Sequence, residues 1–257
     1  MRGLFVVGAL AACGRVDFDP SVPSDATPLA RPCGGGSTAL DPVSITGVTY
    51  RYTSFTNTRA AIPAVTVTAI DDQGGTIGQP VTSDAAGNYR LVVPTGGVAR
   101  SIEVHYTDAN DFATTVHFDA PVDRALTAPG ASWFSLGDGP LWSQGSMDSV
   151  YSAVSISRDP AKSSISVEAY DCAGMPLDGV TLTVTPPPEL FANTGANGLS
   201  DLALSTTTLP YTLAVGYNAV PGLTHITASK PGFTFLEQDV VLLAGSNNAI
   251  VVIRPVE

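Results

Sequence analysis

With 257 residues, 12 basic against 23 acidic side chains and a formal charge of −11, the chain has material for one large or two small domains, each able to bury a core without help from a metal. Such an acidic surface repels phosphate backbones, and the only lysines, Lys162 and Lys230, belong to no basic cluster. Nucleic acid is therefore excluded as a partner.

The chain opens with Arg2 and an apolar run from Leu4 to Ala12. A helix that crosses a bilayer needs about 20 apolar residues, so this run is no membrane span. A basic tip, a short apolar stretch and small exit residues make instead a secretory signal. At Leu10-Ala11-Ala12-Cys13 it resembles a bacterial lipobox. That resemblance implies a lipoprotein signal peptide over residues 1–12 and a mature chain beginning at Cys13. Diacylglycerol and palmitate-type chains on Cys13 would hold the protein on a membrane, at about 0.8 kcal/mol per buried methylene. It also implies a bacterial cell-envelope location, the outer membrane being favoured because Gly14 rather than aspartate follows the cysteine. Of three cysteines, a lipidated Cys13 leaves Cys33 and Cys172, which in an oxidising periplasm either form a disulfide or stay as two unpaired thiols.

Residues 13–42 are rich in Pro, Gly, Ser, Asp and Ala with no apolar period. This is the composition of a disordered, flexible tether, unable to offset its own chain entropy. From Val43 the pattern changes to short β-branched runs between Gly, Asp and Asn turns, which predicts an antiparallel β-sandwich over residues 43–127. Val65, Val67 and Ala69 fall on one face of a strand, with Thr66, Thr68 and Ile70 on the other. In the turn Asp84-Ala85-Ala86-Gly87, the aspartate accepts from backbone two residues on, Gly87 takes positive φ, and Tyr89 re-enters the sheet to cover the sandwich end.

Residues 128–160 carry both tryptophans, Trp133 and Trp142, with Phe134, Leu136, Leu141 and Tyr151. Paired aromatics on a loop-rich segment could stack on sugar rings or anchor a protein partner. The alternative is packing, with the segment serving as linker or edge strands; the alternation in Ser149–Ser157 predicts such a strand. A second sandwich is predicted over residues 161–257. Pro63–Gly75 can be set beside Asp178–Val184, and Thr82–Val93 beside Asn193–Leu204, giving a loose internal repeat of about 90 to 110 residues, too long for a solenoid. The fold expected is all-β, two tandem antiparallel β-sandwich domains after the tether.

Val65–Ala69 with Thr82–Leu91, and then Met175–Leu182, Ala196-Asn197-Gly198 and Lys230-Pro231-Gly232-Phe233, resemble the carboxypeptidase regulatory-like domains, transthyretin-like sandwiches of exported bacterial proteins. The second half equally resembles a bacterial immunoglobulin-like module. Both resemblances imply non-catalytic modules.

Catalytic constellations are absent from the sequence. His105, His117 and His225 each sit in an alternating strand with no Glu three residues on, and there is no His-Glu-x-x-His, Gly-x-Ser-x-Gly or phosphate-binding loop. His105 and His117 could share a metal with Asp108 or Asp119, and Asp71 with Asp72 or Asp108 with Asp111 offer oxygens to calcium; the default in each case is an ordinary sheet histidine or a turn aspartate bonded to its own backbone. No enzyme, cofactor or metal is expected. The function expected is a membrane-anchored envelope lipoprotein with a structural or binding role among envelope proteins or cell-surface glycans, and the sharper alternative is carbohydrate binding through Trp133 and Trp142.

Overall fold

A computed structural model describes residues 41–52, 59–71, 74–98, 102–108, 114–118, 134–135, 139–172, 175–196, 199–244 and 248–256. Residues 1–40 lie outside them, and with these the signal, the lipobox and most of the tether. In chain order the first half has β1 (Val43–Tyr52), β2 (Arg59–Ala61), β3 (Thr66–Ile70), β4 (Thr76–Thr82), β5 (Asn88–Val93), β6 (Ile102–Thr107), β7 (Thr114–Phe118), β8 (Phe134–Ser135) and β9 (Gly139–Leu141). A helix, α1 (Gln144–Ala153), follows. The second half has β10 (Ser163–Ala169), β11 (Thr181–Thr185), β12 (Leu190–Thr194), β13 (Ser200–Asp201), β14 (Leu213–Ala219), β15 (Gly222–Ser229), β16 (Thr234–Phe235), β17 (Gln238–Leu242), β18 (Asn248–Ile253) and β19 (Pro255–Val256).

The fold is all-β with a single helix among the described residues. Strand alternation does what the sequence predicts. Val65, Val67 and Ala69 are fully buried, and β5 alternates exposed and buried along its length. Tyr89, Leu91 and Val93 of β5 join Val43 and Ile45 of β1 and Ile102, Val104 and Tyr106 of β6 in one core cluster. The Tyr89 and Tyr106 hydroxyls are 2.7 Å apart and their rings meet edge to face, so both polar tips are satisfied inside the core. A second cluster collects Ile165, Val167 and Ala169 of β10, Leu182 and Val184 of β11, Ile226 of β15 and Val240 and Leu242 of β17.

These two cores share one wall. A nine-stranded sheet runs β13-β12-β14-β10-β18-β7-β6-β3-β4, crossing from the second half to the first where β18 pairs with β7. β18 is parallel to both of its neighbours, as β8 and β9 are to β1; the remaining pairs are antiparallel. Its residues divide between the cores: Ala249, Val251 and Ile253 enter the second cluster, while Ile250 packs on the first. Because successive strand residues point to opposite faces, the two cores lie against opposite faces of the shared sheet. Outer strands β2, β1, β5, β8 and β9 cover one face over the first half, and the three-stranded sheet β11-β15-β17 covers the other over the second half.

Ser149–Ser157 is not the edge strand its alternation predicts. Its residues up to Ala153 belong to α1, capped by Ser143, whose hydroxyl accepts from the Ser146 amide. Met147, Val150, Tyr151 and Val154 are spaced three, four and seven apart, the spacing of a helix face, and they pack together over Val215 and Tyr217 of β14. Those two β14 residues alternate with Ala214, which faces the second core, so α1 covers the opposite face of the shared sheet.

The internal repeat also has a different register from the one the sequence suggests. At the end of β3, the Asp71 amide donates to the Gly75 carbonyl and the Asp71 carboxylate accepts from the Gly75 amide. After β10, Asp171 makes the same pair of bonds with Met175. Val67, Ala69, Asp71 and Ile77 thus correspond to Val167, Ala169, Asp171 and Leu177, setting β3 against β10 and not against β11.

Candidate functional site

The aromatic segment ahead of the second half is the strongest sequence candidate, and its helix builds a buried polar hub. Tyr151 of α1 and Tyr217 of β14 meet edge to face with ring centroids 5.1 Å apart. The Tyr151 hydroxyl accepts from the Asn218 amide at 3.1 Å, and the Tyr217 hydroxyl lies 2.7 Å from the Ser200 hydroxyl. Burial pushes both phenols up from their ordinary values. Asn218 sits in the left-handed region at φ 51° and is 2% exposed. Its side chain donates to the Ser157 carbonyl and the Glu189 carboxylate and accepts from the Asp159 amide, all at 2.8 to 2.9 Å. The hub therefore ties α1, the loop after it and the end of β14 into one unit. Trp142 is half-buried and packs on this cluster. Trp133 lies outside the described residues, so the two tryptophans are not placed relative to one another.

His105 and His225 take structural partners. His105 Nε2 is 3.0 Å from Glu103 Oε2, and the other Glu103 oxygen accepts from the Val241 amide at 3.3 Å. Glu103 belongs to β6 of the first half and Val241 to β17 of the second, so a 95%-buried carboxylate joins the outer edge of β17 to the shared sheet. His225 pairs with Asp239 across the register of β15 and β17. His117 lies on β7 opposite Glu103; Asp72, Asp111 and Asp119 lie outside the described residues. Among the described residues no group of three or more His, Cys, Asp or Glu is placed to hold a metal.

The turn aspartates serve their own loops. Asp84 accepts from the amides of Ala86 and Asn88 and from the Asn88 side chain. The Asn88 bonds above all hold its carboxyl below the ordinary value. Buried hydroxyls do likewise: Ser83 accepts from the Val65 amide and donates to the Ile62 carbonyl, and Thr207 does the same for Val180 and Leu177. Sequence reasoning misses Asn218, Glu103 and Thr207, whose roles come from partners 27 to 138 positions away.

Burial weakens Glu168 as an acid. It lies on a half-buried residue of β10; burial lifts its value and the hydrogen bond from the Tyr170 hydroxyl offsets part of the rise. The folded state then holds a proton that the unfolded state has released, so stability falls as pH rises from the unfolded value toward the folded one. Glu168→Gln keeps an acceptor for Tyr170 and cannot ionise. Urea unfolding should show it more stable than the wild type at neutral pH, with the gap closing below the ordinary glutamate range; a gap independent of pH would assign the effect to packing.

Cys172, in the turn after β10, is half-buried and disulfide-bonded. The only other cysteines are Cys13 and Cys33, both outside the described residues.

No family model matches the chain, and no curated protein matches it. Among solved structures the chain is similar to the Bacillus anthracis TIE protein, with 10% identity and a TM-score of 0.27 over 83% of this chain and 34% of that one. It is also similar to the shaft pilin SpaA of Lactobacillus rhamnosus GG, at 9% identity and a TM-score of 0.25 over 84% and 98% of the two chains. A third is GBS52, the minor pilin of Streptococcus agalactiae, at 8% and 0.24 over 84% and 97%. The chain spans about a third of the TIE protein.

Proposed function

We propose that this is an exported envelope lipoprotein, anchored through Cys13, whose β-sandwich halves form a non-catalytic structural or binding module. The observation that carries the reading is the disulfide at Cys172. Structural disulfides persist in oxidising compartments and are rare in the cytosol, which agrees with an export signal ending at Cys13. If Cys13 carries lipid, arithmetic leaves Cys33 as the partner of Cys172. That bridge closes a loop of about 140 residues, worth roughly 4 to 5 kcal/mol in the chain-entropy model. The non-catalytic part of the reading is supported by where the polar groups go: the hydroxyls of Thr49, Ser83, Thr207 and Thr212 all serve buried backbone. No observation favours carbohydrate as the ligand, since Trp142 packs against the α1 cluster.

The test is the intact mass of the protein from a bacterial membrane fraction, beside Cys13→Ser and with non-reducing peptide mapping. The expected result is a chain beginning at Cys13 with acyl mass that the variant lacks, and a Cys33–Cys172 peptide. A Cys13–Cys172 peptide, or an unmodified chain starting at Met1, would overturn the anchor.

A further inference from the structure

Several sheet edges among the described residues are guarded. An exposed strand edge is a template for another chain, and folded proteins blunt such edges with short strands, proline, bulges or covering groups. β4 carries Pro80, a register shift and a left-handed Gly78. It also covers β5 closely, since a Cβ on Gly78 would meet the Val92 carbonyl oxygen at 2.5 Å. Strands β2, β8, β9 and β13 are two or three residues long. The outer edge of β17 is taken by Glu103 at Val241.

β11 has none of these devices. It is five residues of unbroken strand, Thr181–Thr185, paired with β15 on one side and with no strand on the other among the described residues. It holds no charge, proline or glycine. The open edge is also bounded symmetrically. At one end the amide and carbonyl of Val180 are both taken by Thr207, and at the other Pro186 stops the strand. Both stops lie three residues from Thr183.

We propose that β11 is a self-association edge, pairing antiparallel with β11 of a second copy about a twofold axis through Thr183. A twofold interface needs a surface complementary to itself, and the sequence Thr-Leu-Thr-Val-Thr has that property. Centred on Thr183, the pairing sets Thr181 opposite Thr185 and Leu182 opposite Val184. Every threonine is exposed and both aliphatic residues are buried in the second core, so the joined sheet keeps one polar and one apolar face across the axis. Threonine pairs directly opposite one another are favourable, and an uncharged edge lets two copies of an acidic chain approach. The inference does not depend on lipid anchoring.

Sedimentation velocity of the full chain carrying Cys13→Ser, so that lipid cannot drive association, tests this. The expected result is a concentration-dependent monomer–dimer equilibrium. Thr183→Lys sets two ammonium groups opposite one another and should raise the dimer dissociation constant by at least about tenfold. Thr227→Lys, one strand inward on the same face, should leave it unchanged. Should the lysine variant fail to fold, Thr183→Cys decides, with a disulfide-linked dimer on a non-reducing gel that Thr227→Cys does not give. A wild type that stays monomeric, a Thr183→Lys dimer as strong as wild type, or an absent Thr183→Cys crosslink would each overturn the proposal, as would a monomer whose β11 binds only an unrelated extended peptide.

Discussion

Gly87→Ala should destabilise the protein by about 3 kcal/mol in urea unfolding, out of proportion to one added methyl. Gly87 has φ 79°, which costs a residue with a Cβ about 1–2 kcal/mol. The larger part comes from where that Cβ would go: it meets the Thr49 carbonyl oxygen at 2.5 Å. That oxygen cannot retreat. Thr49 is fully buried, its amide donates to the Gly87 carbonyl, its hydroxyl donates to the carbonyls of Ile62 and Gly87, and its carbonyl accepts from the Ile62 amide. Gly74→Ala separates the two contributions. Gly74 has φ 81° but nothing within 4 Å of its would-be Cβ, so the expected loss is only about 1 kcal/mol. Equal losses for the two variants would mean that the close approach to Thr49 contributes nothing.

Asn218→Ala should cost about 3 kcal/mol as well, by a different route. The truncation strips hydrogen bonds from the Asp159 amide, the Ser157 carbonyl and the Glu189 carboxylate, and it places alanine at φ 51°. Asn218→Gly relieves the backbone strain and leaves the lost bonds, so it should recover about 1 kcal/mol and no more. If Asn218→Gly matched the wild type, the hub would be dispensable. The same loss should loosen α1 from β14, read as faster amide exchange in Gln144–Ala153, because the lost bonds to Ser157 and Asp159 hold the loop that follows the helix.

How much of this was legible depends on how far apart the partners lie. Local chemistry could be read directly: the alternation of Val65, Val67 and Ala69, the Asp84 loop, and Tyr89 turning inward all rest on neighbours in sequence. The helix was hidden because Ser149–Ser157 satisfies a period of two as well as a helical one; only by starting at Met147 does the spacing of Met147, Val150, Tyr151 and Val154 separate them. The shared sheet leaves a mark in the sequence. Ala249-Ile250-Val251-Val252-Ile253 is a continuous apolar run, the pattern of a strand buried on both faces, and it does not belong to a sandwich strand with one wet side. Asn218 and Glu103 gave no signal, since an isolated polar residue shows its role only through partners far along the chain. The candidate site followed the same division: the aromatic residues were visible, and their packing against β14 was not.

The place of β18 in the shared sheet also sets an order of assembly. Its pairing with β7 joins Asn248 to Thr114, 134 positions apart (248 − 114), while β6 and β7 meet across a short loop. Contacts between distant positions wait on slow loop closure. While the chain is being made, β7 and β10 therefore stand with open edges until one of the last strands arrives to fill both, and the interval before that arrival is when the molecule is most exposed to mispairing.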